Sequence, residues 1–222
     1  QYVELLCREL KITAEIANKL GLRLETVYMG GGTPTTLTAE QLNLVLGTVN
    51  KHFDMSYVRE FTVEAGRPDT IDAEKLIAIK QNGVTRISIN PQSMNDDVLT
   101  AIGRKHTALD TVKAFNLARE IGFDNINMDL IAGLPTDTFD SFKDTLDKIL
   151  KLDPESVTVH SLSMKRASTL NTTGQHDEIK MGAEASKMVD YSREVLTKSG
   201  ILPYYMYRQS KTVGNLENVG YA

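Results

Sequence analysis

The 222-residue sequence has one cysteine, Cys7, and no tryptophan. A lone cysteine excludes an internal disulfide and cannot by itself furnish a cysteine-rich metal site, so any iron-sulfur cluster would need ligands from elsewhere. No apolar run approaches the roughly 20 residues that span a bilayer, and no charged-then-apolar leader opens the chain. Both absences point to a cytoplasmic protein without a membrane span. Positive charge is not in excess either: a formal net charge of -4 offers no broad attraction to phosphate backbones, and nucleic acid is disfavoured as a partner. What is there is ordinary globular composition, 41% hydrophobic and 24% charged, on a chain long enough for one large domain. Because Gln1 lies inside a helical pattern and the sequence stops abruptly at Ala222, the chain is read as a piece of a longer protein.

Along the chain, β-prone apolar runs alternate with amphipathic helical patterns. Val3, Leu6, Leu10, Ala14 and Ala17 recur at helical spacing in residues 2 to 20, with Cys7 beside that stripe as a small core residue. ETVYMGG at 25 to 31 then reads as a strand ending in glycines. Thr38 and Gln41 form a capping box ahead of a helix carrying Leu42, Val45, Leu46, Val49 and Phe53. The order repeats: a strand at 61 to 66, a helix from Asp72 to Asn82, a strand at 86 to 92, a helix from Asp110 to Ile121. Further strands are expected at 126 to 133, 156 to 162 and 203 to 208, and further helices at 138 to 150 and 183 to 198. The polar stretch 165 to 182 reads as a long loop. Strands joined by single helices need parallel crossovers, so the fold class is α/β with a mostly parallel, barrel-like sheet.

Buried parallel strands are apolar on both faces, and polar residues at their C-terminal ends stand out as candidate site residues. Glu64, Gln92, Asp129 and Ser163 fit that description. Gly30-Gly31-Gly32-Thr33-Pro34-Thr35 follows the first strand, where missing side chains let a ligand approach the backbone or simply allow a tight turn. The segment lacks the ending of a phosphate loop and the spacing of a dinucleotide fingerprint. A carboxylate in an apolar strand needs a cationic or hydroxyl partner. For Glu64 that partner is either a ligand ribose or a local ion pair with Arg67. Gln92 offers both a donor and an acceptor, and the fork of Arg104 suits a carboxylate. Together these groups suggest a polyfunctional small-molecule site.

VYMGGGTPTTL, TVEAGRPDTI, RISINPQSMNDDVLTAIGRKHT, INMDLIAGLP and PYYMYRQ…GNLENVGYA resemble the oxygen-independent coproporphyrinogen III oxidases of the radical S-adenosylmethionine (SAM) family, with TVEAGRPDTI and YYMYRQ nearest its HemZ-like branch. The resemblance spans nearly the whole chain. It implies a partial (β/α)6 TIM-like barrel, with residues 1–163 as a radical SAM core lacking its first strand and cluster loop. Residues 164–222 would then form the last barrel elements and the start of a C-terminal region. It also implies SAM contacts at Gly31, Gly32, Thr33, Glu64, Gln92, Arg104 and Asp129, with Ser163 a weaker carry-over. Family members reduce SAM with a 4Fe-4S cluster and use the 5′-deoxyadenosyl radical to turn tetrapyrrole propionates into vinyl groups. The implied partners are therefore a tetrapyrrole substrate and an electron donor. The family's Cys-x-x-x-Cys-x-x-Cys motif is absent from this sequence, so the isolated chain is expected to be inactive and none of its residues is assigned as catalytic or as a metal ligand.

Two alternatives stay open: a haem-trafficking or tetrapyrrole-binding relative, and a cluster-independent barrel enzyme that uses its carboxylates as acid and base. Arg67, Lys105, His106, Lys165 and Arg166 read first as solvated loop charges and second as contacts for substrate carboxylates, His160 as a core histidine or a ligand neighbour, and Tyr204, Tyr205 and Tyr207 as barrel packing ahead of a porphyrin-pocket lining.

Overall fold

The computed structural model describes residues 1–163 and 178–222. In chain order they form α1 (Tyr2–Lys19), β1 (Thr26–Met29), α2 (Ala39–His52), β2 (Glu60–Gly66), α3 (Ala73–Gln81), β3 (Arg86–Gln92), α4 (Asp96–Ala101), α5 (Ala108–Glu120), β4 (Ile126–Ala132), α6 (Phe139–Leu152), β5 (Ser156–Ser161), α7 (Glu178–Lys198), β6 (Pro203–Tyr207) and β7 (Asn218–Tyr221). The strand order is β1-β2-β3-β4-β5-β7-β6. β1 with β2, β2 with β3 and β4 with β5 pair parallel, while β7 runs antiparallel to both β5 and β6. The class is α/β with mostly parallel strands, as the alternation of periodicities predicts.

The chain divides into two compact units, residues 1–89 with 113–126 and residues 90–112 with 127–222. In the first, Val3 and Cys7 of α1 pack with Val45 of α2, flanked by Leu6, Leu10, Met29 and Leu37. Cys7 is a free, buried thiol, as its place beside the apolar stripe suggests. The capping box forms as written: the Gln41 amide donates to Thr38 Oγ1 at 3.3 Å and the Thr38 amide to Gln41 Oε1 at 3.0 Å. Phe61, Val63 and Ala65 of β2, Ile87 and Ile89 of β3 and Leu76 and Ile79 of α3 are buried. The second unit buries Met128, Leu130 and Ala132 of β4, Val157 and Val159 of β5, Phe142, Leu146 and Ile149 of α6 and Met188 and Leu196 of α7.

Three features depart from the sequence reading. α4 was not anticipated; its six residues are too few to show a helical period, and its signal is the cap, where Asn95 Oδ1 accepts from the amides of Asp97 and Val98. α7 begins at Glu178, so residues 178–182 of the expected loop are helical, in keeping with the helix-forming residues around them. The rest of that loop, with Lys165 and Arg166, lies outside the described residues. Finally, the expected strand at 203 to 208 is present as β6, but β7 takes the place beside β5. β6 is therefore an edge strand, and Tyr204, Tyr205 and Tyr207 are exposed rather than packed in a core.

Candidate functional site

In the first unit the glycine turn is fastened to the end of β2. Beyond β1, residues 30–33 lead into a 3-10 turn at Pro34–Thr36. Thr35 is fully buried there; its hydroxyl donates to the Ala65 carbonyl and lies 2.6 Å from Thr70 Oγ1. A Cβ on Gly66, which has φ 70°, would sit 3.1 Å from Thr33 Cγ2, so the turn and the strand end are in close contact. Glycine is required at two points of this turn. Gly31 has φ 112°, a conformation that L side chains rarely adopt. A Cβ on Gly30 would fall 3.1 Å from the Glu64 carboxyl carbon. At Gly31 and Gly32 a Cβ would meet no atom of the described residues within 4 Å, so among them the backbone there borders open space.

Glu64 is half-buried, and the Tyr28 hydroxyl donates to its Oε1. The expected alternative, an ion pair with Arg67, is not what forms. Arg67 instead makes a two-pronged pair with Asp69, Nε to Oδ1 at 3.0 Å and Nη2 to Oδ2 at 2.6 Å. The partner of Glu64 is thus a hydroxyl, and Tyr28 is a neighbour that sequence reasoning missed. A strand tyrosine beside an acidic strand was the only available signal.

In the second unit, Gln92 closes β3 with φ 70° and is buried, and its Oε1 has no hydrogen-bond partner among the described residues. A side-chain network holds the next residues against α6. The Met94 amide donates to Thr145 Oγ1 at 3.1 Å, Asn95 Nδ2 to Ser141 Oγ at 2.9 Å and Lys148 Nζ to the Met94 carbonyl at 3.2 Å. Arg104 is half-exposed in the loop after α4. His106 is no solvated loop charge: it is 2% exposed, with Nε2 3.1 Å from the Pro91 carbonyl. Lys105 is exposed, as expected of a loop cation.

Asp129 is the fourth of the seven residues of β4, at the middle of the strand rather than its end. Asn127 Nδ2 donates to its Oδ1 at 2.6 Å, and His160 Nε2 lies 3.6 Å from its Oδ2. His160 is thus the neighbour of a candidate ligand-binding carboxylate. Tyr207 Oη stands 3.5 Å from His160 Nδ1. Burial raises the Tyr207 phenol above its ordinary value; the Tyr205 and Asp129 charges push the same way, against a hydrogen bond with Asn218. The Ser163 hydroxyl donates to the Ser210 carbonyl at 3.0 Å, and Ser163 pairs with Thr212 in an isolated bridge.

These placements fall into two sets: Gly31, Gly32, Thr33 and Glu64 at the end of β2 in one unit, and Gln92, Arg104, Asp129 and Ser163 among the elements of the other. Among the described residues, no group of histidine, cysteine, aspartate or glutamate side chains is placed to hold a metal ion. Nor is any described helix long and apolar enough to cross a membrane.

A family model for the Radical SAM superfamily matches residues 2–149. The chain is 44% identical over 215 residues to the oxygen-independent coproporphyrinogen-III oxidase-like protein HemZ of Bacillus subtilis, covering 96% of this chain and 43% of that protein. It is also 44% identical over 140 residues to the heme chaperone HemW of the same organism, covering 63% of this chain and 37% of the chaperone. Among solved structures it is similar to the coproporphyrinogen III oxidase HemN of Escherichia coli, a radical SAM enzyme, with a TM-score of 0.78 and 26% identity over 90% of this chain and 46% of that one. The chain spans less than half the length of each of these relatives.

Proposed function

The chain belongs to the radical SAM superfamily, and from that premise we propose that it carries the SAM-contacting residues of an oxygen-independent coproporphyrinogen III oxidase. In this reading residues 1–163 are the radical SAM core without its first strand and cluster loop, and residues 164–222 add the last strands and the start of a further region. The observation that carries it is Gln92. A buried amide oxygen without a partner among the described residues, on a non-glycine residue at positive φ, is doubly costly. Such a cost is expected where a ligand donor completes the hydrogen bonding.

Each of the other residues, within its own unit, suits a group that SAM carries. The open backbone at Gly31 and Gly32 gives the amino-acid end of SAM room beside Thr33, within reach of peptide N–H and C=O groups. Glu64 and Asp129 supply carboxylate acceptors for hydroxyl or ammonium donors. Arg104 supplies a fork for a carboxylate, and Ser163 a hydroxyl. The cluster is a different matter: Cys7 is the one cysteine and it is packed in the core, so the cluster ligands belong to another part of the parent. Held there, the cluster would supply one-electron reducing chemistry. The part of this chain's residues is to bind and orient SAM.

A second reading, haem handling, is favoured by the 44% identity to a heme chaperone. The oxidase reading rests on the greater reach of the oxidase-like relative, 96% of the chain against 63%. An anaerobic assay of the reconstituted full-length parent with coproporphyrinogen III and SAM tests it. The expected product is protoporphyrinogen IX; stable haem binding without conversion would replace the oxidase by the haem-handling protein.

A further inference from the structure

We propose that Asn127, oriented by Thr158, is a positioning residue that presents the Asp129 carboxylate to the ligand; this rests on the reading of Asp129 as a SAM contact. Asn127 and Asp129 are two residues apart on β4 and so project from the same side of the sheet. Thr158 is the register partner of Asp129 on the neighbouring strand β5. Thr158 Oγ1 donates to Asn127 Oδ1 at 3.0 Å, and Asn127 Nδ2 donates to Asp129 Oδ1 at 2.6 Å. The direction of this chain is fixed by chemistry. An ionised carboxylate only accepts, so the amide must turn its NH2 toward Asp129, and its oxygen is left facing a hydroxyl that then has to donate. Turning the amide over would set its oxygen 2.6 Å from a carboxylate oxygen, an acceptor against an acceptor.

Asn127 is 4% exposed, so both bonds are shielded from water on the amide side. The Asn127 bond occupies one carboxylate oxygen, Oδ1, and among the described residues no hydrogen bond engages the other. His160 Nε2 stands 3.6 Å from Oδ2, too long for a hydrogen bond. A carboxylate tied back through Oδ1 has lost its rotational freedom before the ligand arrives, and Oδ2 is the acceptor it offers. Holding a binding group in its working orientation in this way raises affinity without any contact between Asn127 and the ligand.

The test is a set of SAM dissociation constants on the anaerobically reconstituted full-length parent, by equilibrium dialysis, with unliganded unfolding midpoints as a check on folding. Asn127→Ala should weaken binding by about tenfold, as coupled members of one network do. Thr158→Val, which keeps the shape and loses the hydroxyl, should weaken it too, and Thr158→Ser should restore near-normal binding. In an Asp129→Asn background, Asn127→Ala and Thr158→Val should have no further effect. Equal losses in both backgrounds would show that Asn127 acts through general structure, and unchanged binding in Asn127→Ala and Thr158→Val would also overturn the proposal. If Asn127→Ala does not fold, the Thr158 pair decides. Normal affinity in Asp129→Asn itself would instead refute Asp129 as a SAM contact, and the inference with it.

Discussion

Burial penalises both Gln92 and Asp137, by different chemistry. Gln92 is neutral, so its cost is an unmade hydrogen bond. Asp137 precedes α6, and burial pushes its carboxyl above the ordinary value; the Ser141 hydroxyl and the Thr138 amide offset part of the shift. Between the ordinary and the raised value the folded chain holds more protons than the unfolded one. Stability contributed by this group therefore falls as pH rises through that window and stays at the lower level above it. Asp137→Asn is accordingly expected to raise the thermal midpoint at pH 7 and to give no gain near pH 3, measured by circular dichroism. An equal gain at both values would mean that charge burial is not the cause. Neither feature was legible beforehand. Gln92 stands out in the sequence only as a polar residue ending an apolar run, and nothing in the sequence singles out Asp137.

Element scale is where the sequence was most informative. Capping box, apolar stripe and C-terminal glycine are local signals, and α1, α2, α3, α5 and α6 start and end within a few residues of where those signals put them. β7 was missed because its identity is not local. NVGY is four residues long, and only pairing with β5 and β6 makes it a strand. Gly182 and Gly214 show what such long-range packing demands. A Cβ on Gly182 would lie 3.0 Å from Gly214 Cα, whereas a Cβ on Gly47 of α2 would have its nearest neighbour at 3.7 Å. Alanine favours a helix interior over glycine by about 1 kcal/mol. Gly47→Ala is therefore expected to stabilise the protein. Gly182→Ala, despite the same propensity gain, is expected to destabilise it by roughly 1 to 3 kcal/mol through overpacking against backbone. Urea unfolding of the two variants measures this, and a stabilised Gly182→Ala would contradict the packing argument.

For the whole molecule, the fold class followed from element order, because a helix between successive strands leaves little choice but parallel pairing. The supports of the candidate site did not follow from it. Glu64 and Asp129 announced themselves as acids in apolar strands, while Tyr28, Asn127 and Thr158 look like ordinary strand residues until the register brings them beside those acids. The central claim is that this chain's residues contact SAM, and Gln92→Leu tests it most directly in a dialysis measurement on the reconstituted parent. The account predicts binding weakened roughly tenfold, together with an unliganded midpoint no lower than wild type, since an apolar group of similar size replaces a polar atom left unpaired. Unchanged affinity for SAM in that variant would contradict it.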